Sequence, residues 1–113
     1  MKFEQTDLFN GRGRVEIEDL LGGQHLPPFR EVLFCRLDPG AWVGAHRQEH
    51  YPELLLVASG RGRALVQGQS QELEAGSLVL LPLGHSLELH NIEEHNCLTY
   101  FIVKAQEGSV PLR

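Results

Sequence analysis

Glycine and proline interrupt this chain before any apolar run grows to helix length. Gly22-Gly23, Pro27-Pro28, Pro39-Gly40, Gly60 to Gly62, Gly68, Gly76 and Pro82 to Gly84 leave short runs rich in Val, Leu and Phe between them. Glycine accepts positive φ without a Cβ clash, and proline has no amide proton to give to a helix interior or a central ladder. Many short strands with a turn signal about every 8–12 residues specify an antiparallel sandwich or barrel. Helix content should be small.

The runs predict strands over Arg14 to Leu20, Arg30 to Leu37, Trp42 to His46, Glu53 to Ala58 and Arg63 to Val66, then over Gln71 to Leu73, Ser77 to Leu81, Ser86 to Leu89 and Cys97 to Lys104. "VQGQSQELEAG" places Gly68 between two polar-alternating runs, as a hairpin tip requires. "EAGSLVLLP" then starts an almost wholly apolar strand of the kind found in a barrel wall. No linker, repeat or low-complexity tract divides the chain, so one domain over 1–113 is expected, with its core at about 15–105 and a tail over 106–113.

Composition removes several function classes. An apolar content of 42% and a charged content of 22% are globular values, and no stretch approaches the ~18 consecutive apolar residues of a membrane span. "MKFEQTDLFNGRGR" has polar residues where a secretory leader has an apolar core, so a cytoplasmic location and no membrane partner are expected. The net charge is -5, and Arg12, Arg14, Arg30, Arg36, Arg47, Arg61 and Arg63 form neither a block nor a stripe. Nucleic acid is therefore not expected as a partner, because its binding needs clustered cations. Cys35 and Cys97 lie in apolar runs and read as buried thiols rather than a disulfide. Trp42, Phe34, Tyr100 and Phe101 read as core or wall, and His25, His90 and His95 as loop or outward residues.

The chemistry concentrates in "GAHRQEHYPELLLVASGRGRA", from Gly44 to Ala64. Along an extended strand His46, Gln48 and His50 share a face. At about 3.3 Å per residue, His46 and Gln48 lie near 6.6 Å apart and can flank one ion, whereas His46 and His50 lie about 13 Å apart and cannot without a bend. Tyr51-Pro52 supplies a turn signal, and Glu53 then heads the inward row of Leu55 and Val57. A carboxylate there is costly to bury unless a metal ion or an arginine neutralises it. A helical pairing of His46 with His50 fails, because Gly44 and Pro52 leave barely two turns between them.

Two motifs carry a family resemblance. The first is Gly40, "AWVGA", His46-Arg47-Gln48, "EHYP", Glu53, "LLLVAS", Gly60; the second is Gly76, "SLVLL", Pro82-Leu83-Gly84, "HS", Leu87, "ELH", Asn91. In spacing they resemble the two motifs of the cupins, over roughly Val15 to Ala105. The resemblance implies an all-β double-stranded β-helix, the jelly-roll cupin barrel, and a homodimer, with "RVEIEDLL" as an exchanged edge. It is similar also to the sensor domain of arabinose-type regulators, although no helix-turn-helix follows the last expected strand.

In that family two histidines and a glutamate of the first motif, with a histidine of the second, hold one divalent metal. His46 and Glu53 match; Gln48 and Leu87 stand where the other two histidines belong. Gln48 still offers an amide oxygen, and His85 shares strand parity with Leu87. The implied metal set is therefore His46, Gln48, Glu53 and His85, for Zn, Fe, Mn or Ni, with His50 and Glu53 as candidate proton carriers. Two functions remain open: a metal-dependent isomerase or dioxygenase of a small metabolite, or a metal-free pocket that binds or senses a small-molecule ligand.

Overall fold

A computed structural model describes residues 1–106; the expected tail therefore lies, beyond Gln106, outside the described residues. The strands, in chain order, are β1 (Lys2–Thr6), β2 (Arg14–Asp19), β3 (Phe29–Leu37), β4 (Trp42–Arg47) and β5 (Glu53–Ser59), then β6 (Gly62–Val66), β7 (Gln69–Leu73), β8 (Leu78–Leu81), β9 (Ser86–Asn91) and β10 (Leu98–Ala105). One short 3-10 turn spans Leu8–Asn10. Each of the nine expected strands forms, with its ends moved by one or two residues.

The strands pair antiparallel in a six-stranded sheet, β1-β2-β3-β10-β5-β8, and a four-stranded sheet, β4-β9-β6-β7. This is an antiparallel two-sheet arrangement of the kind the glycine and proline punctuation predicts, and the jelly roll that the family resemblance implies. Alternation puts Leu55 and Val57 of β5, Val79 and Leu81 of β8, and Leu87 and Leu89 of β9 into one core between the sheets. The β6–β7 hairpin turns on Gln67 and Gly68, both at positive φ (51° and 79°), which is the type I′ signature. The Gln67 amide oxygen accepts from the Ser86 backbone amide at 2.7 Å and anchors the tip to β9.

Strand β1 is the element the sequence did not reveal. All five of its residues are exposed, and it pairs only with β2 at the edge of the sheet. It has no buried apolar row, which is the signal on which strand prediction depends. Cys35 is buried, Cys97 is half-buried, and both are free thiols.

Asn91 fastens the end of β9. Its amide nitrogen donates to the carbonyls of Leu37 (3.1 Å), Asp38 (3.0 Å) and Asn96 (2.9 Å), and its oxygen accepts from the Glu93 amide at 2.9 Å. One buried side chain thus ties the β3–β4 connection to the β9–β10 connection at the far end of β9 from the His46–Leu87 pair.

Candidate functional site

A bulge in β4 sets the geometry of the site. Val43 pairs with Leu89 and His46 with Leu87, so two residues of β4, Gly44 and Ala45, stand opposite one of β9, Glu88. The extra residue resets strand parity, and Val43 and His46 both line the cavity between the sheets. Gly44 sits in the bulge with its Cα against the Phe9 carbonyl: an added Cβ would lie 1.8 Å from that oxygen. The close approach lets the 3-10 turn lie over the site and stack the Phe9 ring on the His46 imidazole, with centroids 4.1 Å apart and planes 12° from parallel.

The His46 Nδ1 lies 3.0 Å from the Gly44 carbonyl oxygen. A carbonyl only accepts, so Nδ1 carries the proton and Nε2 of the neutral ring is the open acceptor. Burial holds the imidazole pKa below its ordinary value, and Lys104 pushes the same way against the Gly44 hydrogen bond. His46 is therefore neutral at pH 7.

Glu53 heads β5 in register with Lys104 of β10 on one side and Leu81 of β8 on the other. It is 5% exposed; Oε1 lies 3.9 Å from the Lys104 Nζ, and Oε2 has no hydrogen-bond partner. Burial pushes its pKa up to about 7, with Lys104 opposing and Glu31 adding to the rise. Lys104 also reaches the Glu31 Oε1 at 3.3 Å, so one ammonium serves two acids. Deeper in the same inward row, Tyr100 pairs across the ladder with Cys35 and hydrogen bonds to its thiol. Burial raises both groups, the thiol to about 12 and the phenol well above its usual value, so neither ionises near neutrality.

These side chains surround two chambers that share Phe9, His46 and Lys104. The inner chamber, about 290 Å³, is walled mainly by apolar side chains, Val43, Leu55, Leu87 and Leu89 among them, with Gln5, His46, Glu53, Tyr100, Cys35 and Lys104 as its polar lining. The outer chamber is polar and open, bounded by Arg30, Arg47, Gln48 and His50. Gln48 is 5% exposed and its Nε2 has no partner. Its backbone donates to the His85 carbonyl at 3.0 Å and accepts from the Gly84 amide at 2.7 Å.

The candidate residues therefore divide. His46 and Glu53 border the inner chamber, while Gln48 and His50 border the outer one. His85 lies in the β8–β9 turn, and its side chain lines neither chamber. Among the described residues no three His, Cys, Asp or Glu side chains come together as a metal cage. The sequence reading missed Lys104 and Phe9; Tyr100 and Cys35 are the wall residue and buried thiol it expected, here lining the inner chamber. For Lys104 a signal existed: it ends the inward row of Tyr100 and Ile102, where a lone cation needs an acid. Phe9 had only the indirect mark of Gly44.

With this geometry in place, comparison with known proteins gives a consistent answer. The profile of the cupin domain family matches residues 33–103, and the chain belongs to the cupin family. Among solved structures, a predicted oxalate decarboxylase from Thermotoga maritima superposes with a TM-score of 0.83 at 22% identity, over 95% of this chain and 93% of that one. A cupin protein from Bacteroides fragilis gives 0.73 at 20%, over 86% and 81%. A putative sugar phosphate isomerase from Acidithiobacillus ferrooxidans gives 0.72 at 16%, over 83% and 60%. At these identities the likeness establishes the fold alone. No curated protein matches the sequence significantly. Among the described residues no helix is long and apolar enough to cross a membrane.

Proposed function

We propose that this cupin binds a small molecule inside the barrel without a resident divalent metal. The observation that carries the reading is the ladder pair His46–Leu87. The position that would complete a cage opposite the imidazole holds a buried hydrocarbon side chain, 2% exposed. What remains is one imidazole, one carboxylate and one amide, the last a weak neutral donor, and this set does not fit a tightly held first-row metal. The inner chamber is otherwise walled by aliphatic side chains with a few convergent polar groups, the usual make-up of an organic-ligand pocket.

The competing reading, a metal-dependent isomerase or dioxygenase, takes its support from the names of the Thermotoga and Acidithiobacillus neighbours. Elemental analysis of protein purified without added metal decides between the two. Metal far below one equivalent, unchanged in His46→Ala, is the expected result. Near-stoichiometric metal that disappears in His46→Ala would establish the enzyme reading instead.

We also propose that two copies pair through the outer face of the six-stranded sheet. Register sets Phe101 beside Leu56, which pairs with Leu78, and Val103 beside Leu54, which pairs with Leu80, in one continuous apolar surface. Leu80 is 62% exposed. A contiguous exposed patch of this kind is the usual mark of an interface.

A further inference from the structure

Two buried side-chain atoms among the described residues have no hydrogen-bond partner: Glu53 Oε2 and Gln48 Nε2. Native interiors leave few such groups, and those that exist call for a reason. Here they border two chambers that share part of their lining. Glu53 borders the inner chamber, Gln48 borders the outer one, and Phe9, His46 and Lys104 belong to both. One of the two atoms accepts a hydrogen bond and the other donates one.

Charge narrows what can meet them. The Lys104 ammonium stands 3.9 Å from the Glu53 Oε1 and 3.3 Å from Glu31. A cationic ligand head where the chambers adjoin would face that ammonium with Arg30 and Arg47 beyond it, and an anionic head would face Glu31, Glu49 and the ionised form of Glu53. A neutral head that donates and accepts, such as a hydroxyl, meets neither repulsion and can satisfy both orphaned atoms. The inner chamber beside it, mainly apolar in its walls, offers about 290 Å³, the volume of roughly ten water molecules at ~30 Å³ each and so room for a compact organic body.

Resting on the proposal of a metal-free binding pocket, we infer that its ligand is an uncharged amphiphile. A compact apolar body, aromatic or branched, occupies the inner chamber among Val43, Leu55, Leu87 and Leu89, and a single hydroxyl-type head stands between Glu53 and Gln48. Discrimination is by the head: a site built around unpaired polar groups rejects a ligand that leaves them unpaired more strongly than an apolar wall rejects a misfit.

A titration with four probes of one shape tests this: benzyl alcohol, benzoate, benzylammonium and toluene. The readout is the methyl NMR signals of Val43, Leu55, Leu87 and Leu89 in the full chain. Benzyl alcohol should shift them at a concentration about tenfold lower than any of the other three. Glu53→Leu and, separately, Gln48→Leu should each weaken benzyl alcohol several-fold and leave toluene unchanged. The two variants guard against one failing to fold. A charged probe that binds best, or four equal affinities, would overturn the assignment of the head while leaving the binding pocket standing. No response of these methyls to any probe would remove the pocket and the assignment together.

Discussion

Leu87 stands directly across the β4–β9 ladder from His46, so the imidazole that begins the candidate site faces a hydrocarbon. Both side chains border the same chamber. On the proposed metal-free reading the pair is what separates this barrel from one built around an ion, and it can be changed at a single position. In Leu87→His a second imidazole would enter opposite the first, with Glu53 as a third donor, giving the two-histidine, one-carboxylate set that holds divalent metals. Zinc or cobalt(II) titrated calorimetrically should bind the variant at one equivalent and at least about 100-fold more tightly than the native chain. Equal affinity of the two proteins would show that position 87 does not govern metal binding.

Glu53 makes stability depend on pH in the direction opposite to most paired carboxylates. Its pKa rises from 4.5 to about 7 on folding because burial disfavours the anion. The folded state therefore binds the proton more tightly than the unfolded chain does. The acid costs nothing below pH 4.5, begins to destabilise as pH rises past that value, and imposes its full penalty, about 3 kcal/mol, above pH 7. His46, held below its ordinary pKa, acts in the reverse sense and weakens the fold on acidification. Comparison with Glu53→Gln isolates the carboxyl. Denaturant unfolding should show the variant gaining on the native protein from pH 4.5 to pH 7, and a constant difference across that range would contradict the assignment.

How far the sequence goes depends on the kind of signal each residue carries. Most of the nine expected strands were legible because they bury an alternating or continuous apolar row between glycine or proline breaks, and β7, with Leu73 as its one buried residue, was legible from the Gly68 turn before it. His46 and Glu53 were legible because imidazole and carboxylate in an apolar strand context are rare enough to need an explanation. Lys104 and Phe9 were not, since their roles come from register and from a close backbone approach. Lys104 reaches Glu53 only because β10 lies between β3 and β5, and Phe9 reaches His46 only because Gly44 has no side chain. The bulge at Gly44 is the sharpest case. Regular alternation would set Val43 and His46 on opposite faces, and one extra residue in β4 puts both on the cavity.

Asn91 is predicted to matter for the fold and not for the ligand. Its amide nitrogen serves the carbonyls of Leu37, Asp38 and Asn96, and it is 4% exposed. Asn91→Ala would leave buried acceptors unpaired and open a small void, at a cost of about 3 kcal/mol. Thermal unfolding should register that loss, whereas benzyl alcohol affinity below the transition should be unchanged. Lost affinity in a variant of native stability would show instead that Asn91 acts on the pocket.

Leu80 offers the sharpest test of pairing through the outer sheet. Strand β8 ends the six-stranded order, so its free edge and its outward leucines are open to a second copy. A symmetric interface would bring the β8 leucines of one copy against the outer face of the other, and each copy would gain the same contacts. Leu80→Glu would place two carboxylates, one from each copy, in that apolar surface, with nothing there to neutralise them. Sedimentation velocity at micromolar concentration should show the native chain at twice its 12.7 kDa mass and Leu80→Glu at the monomer mass. The variant should keep its far-UV spectrum and its pocket, because Leu80 points away from the chambers while its neighbours Val79 and Leu81 point into the core. A native monomer would show that the apolar face serves something other than self-association.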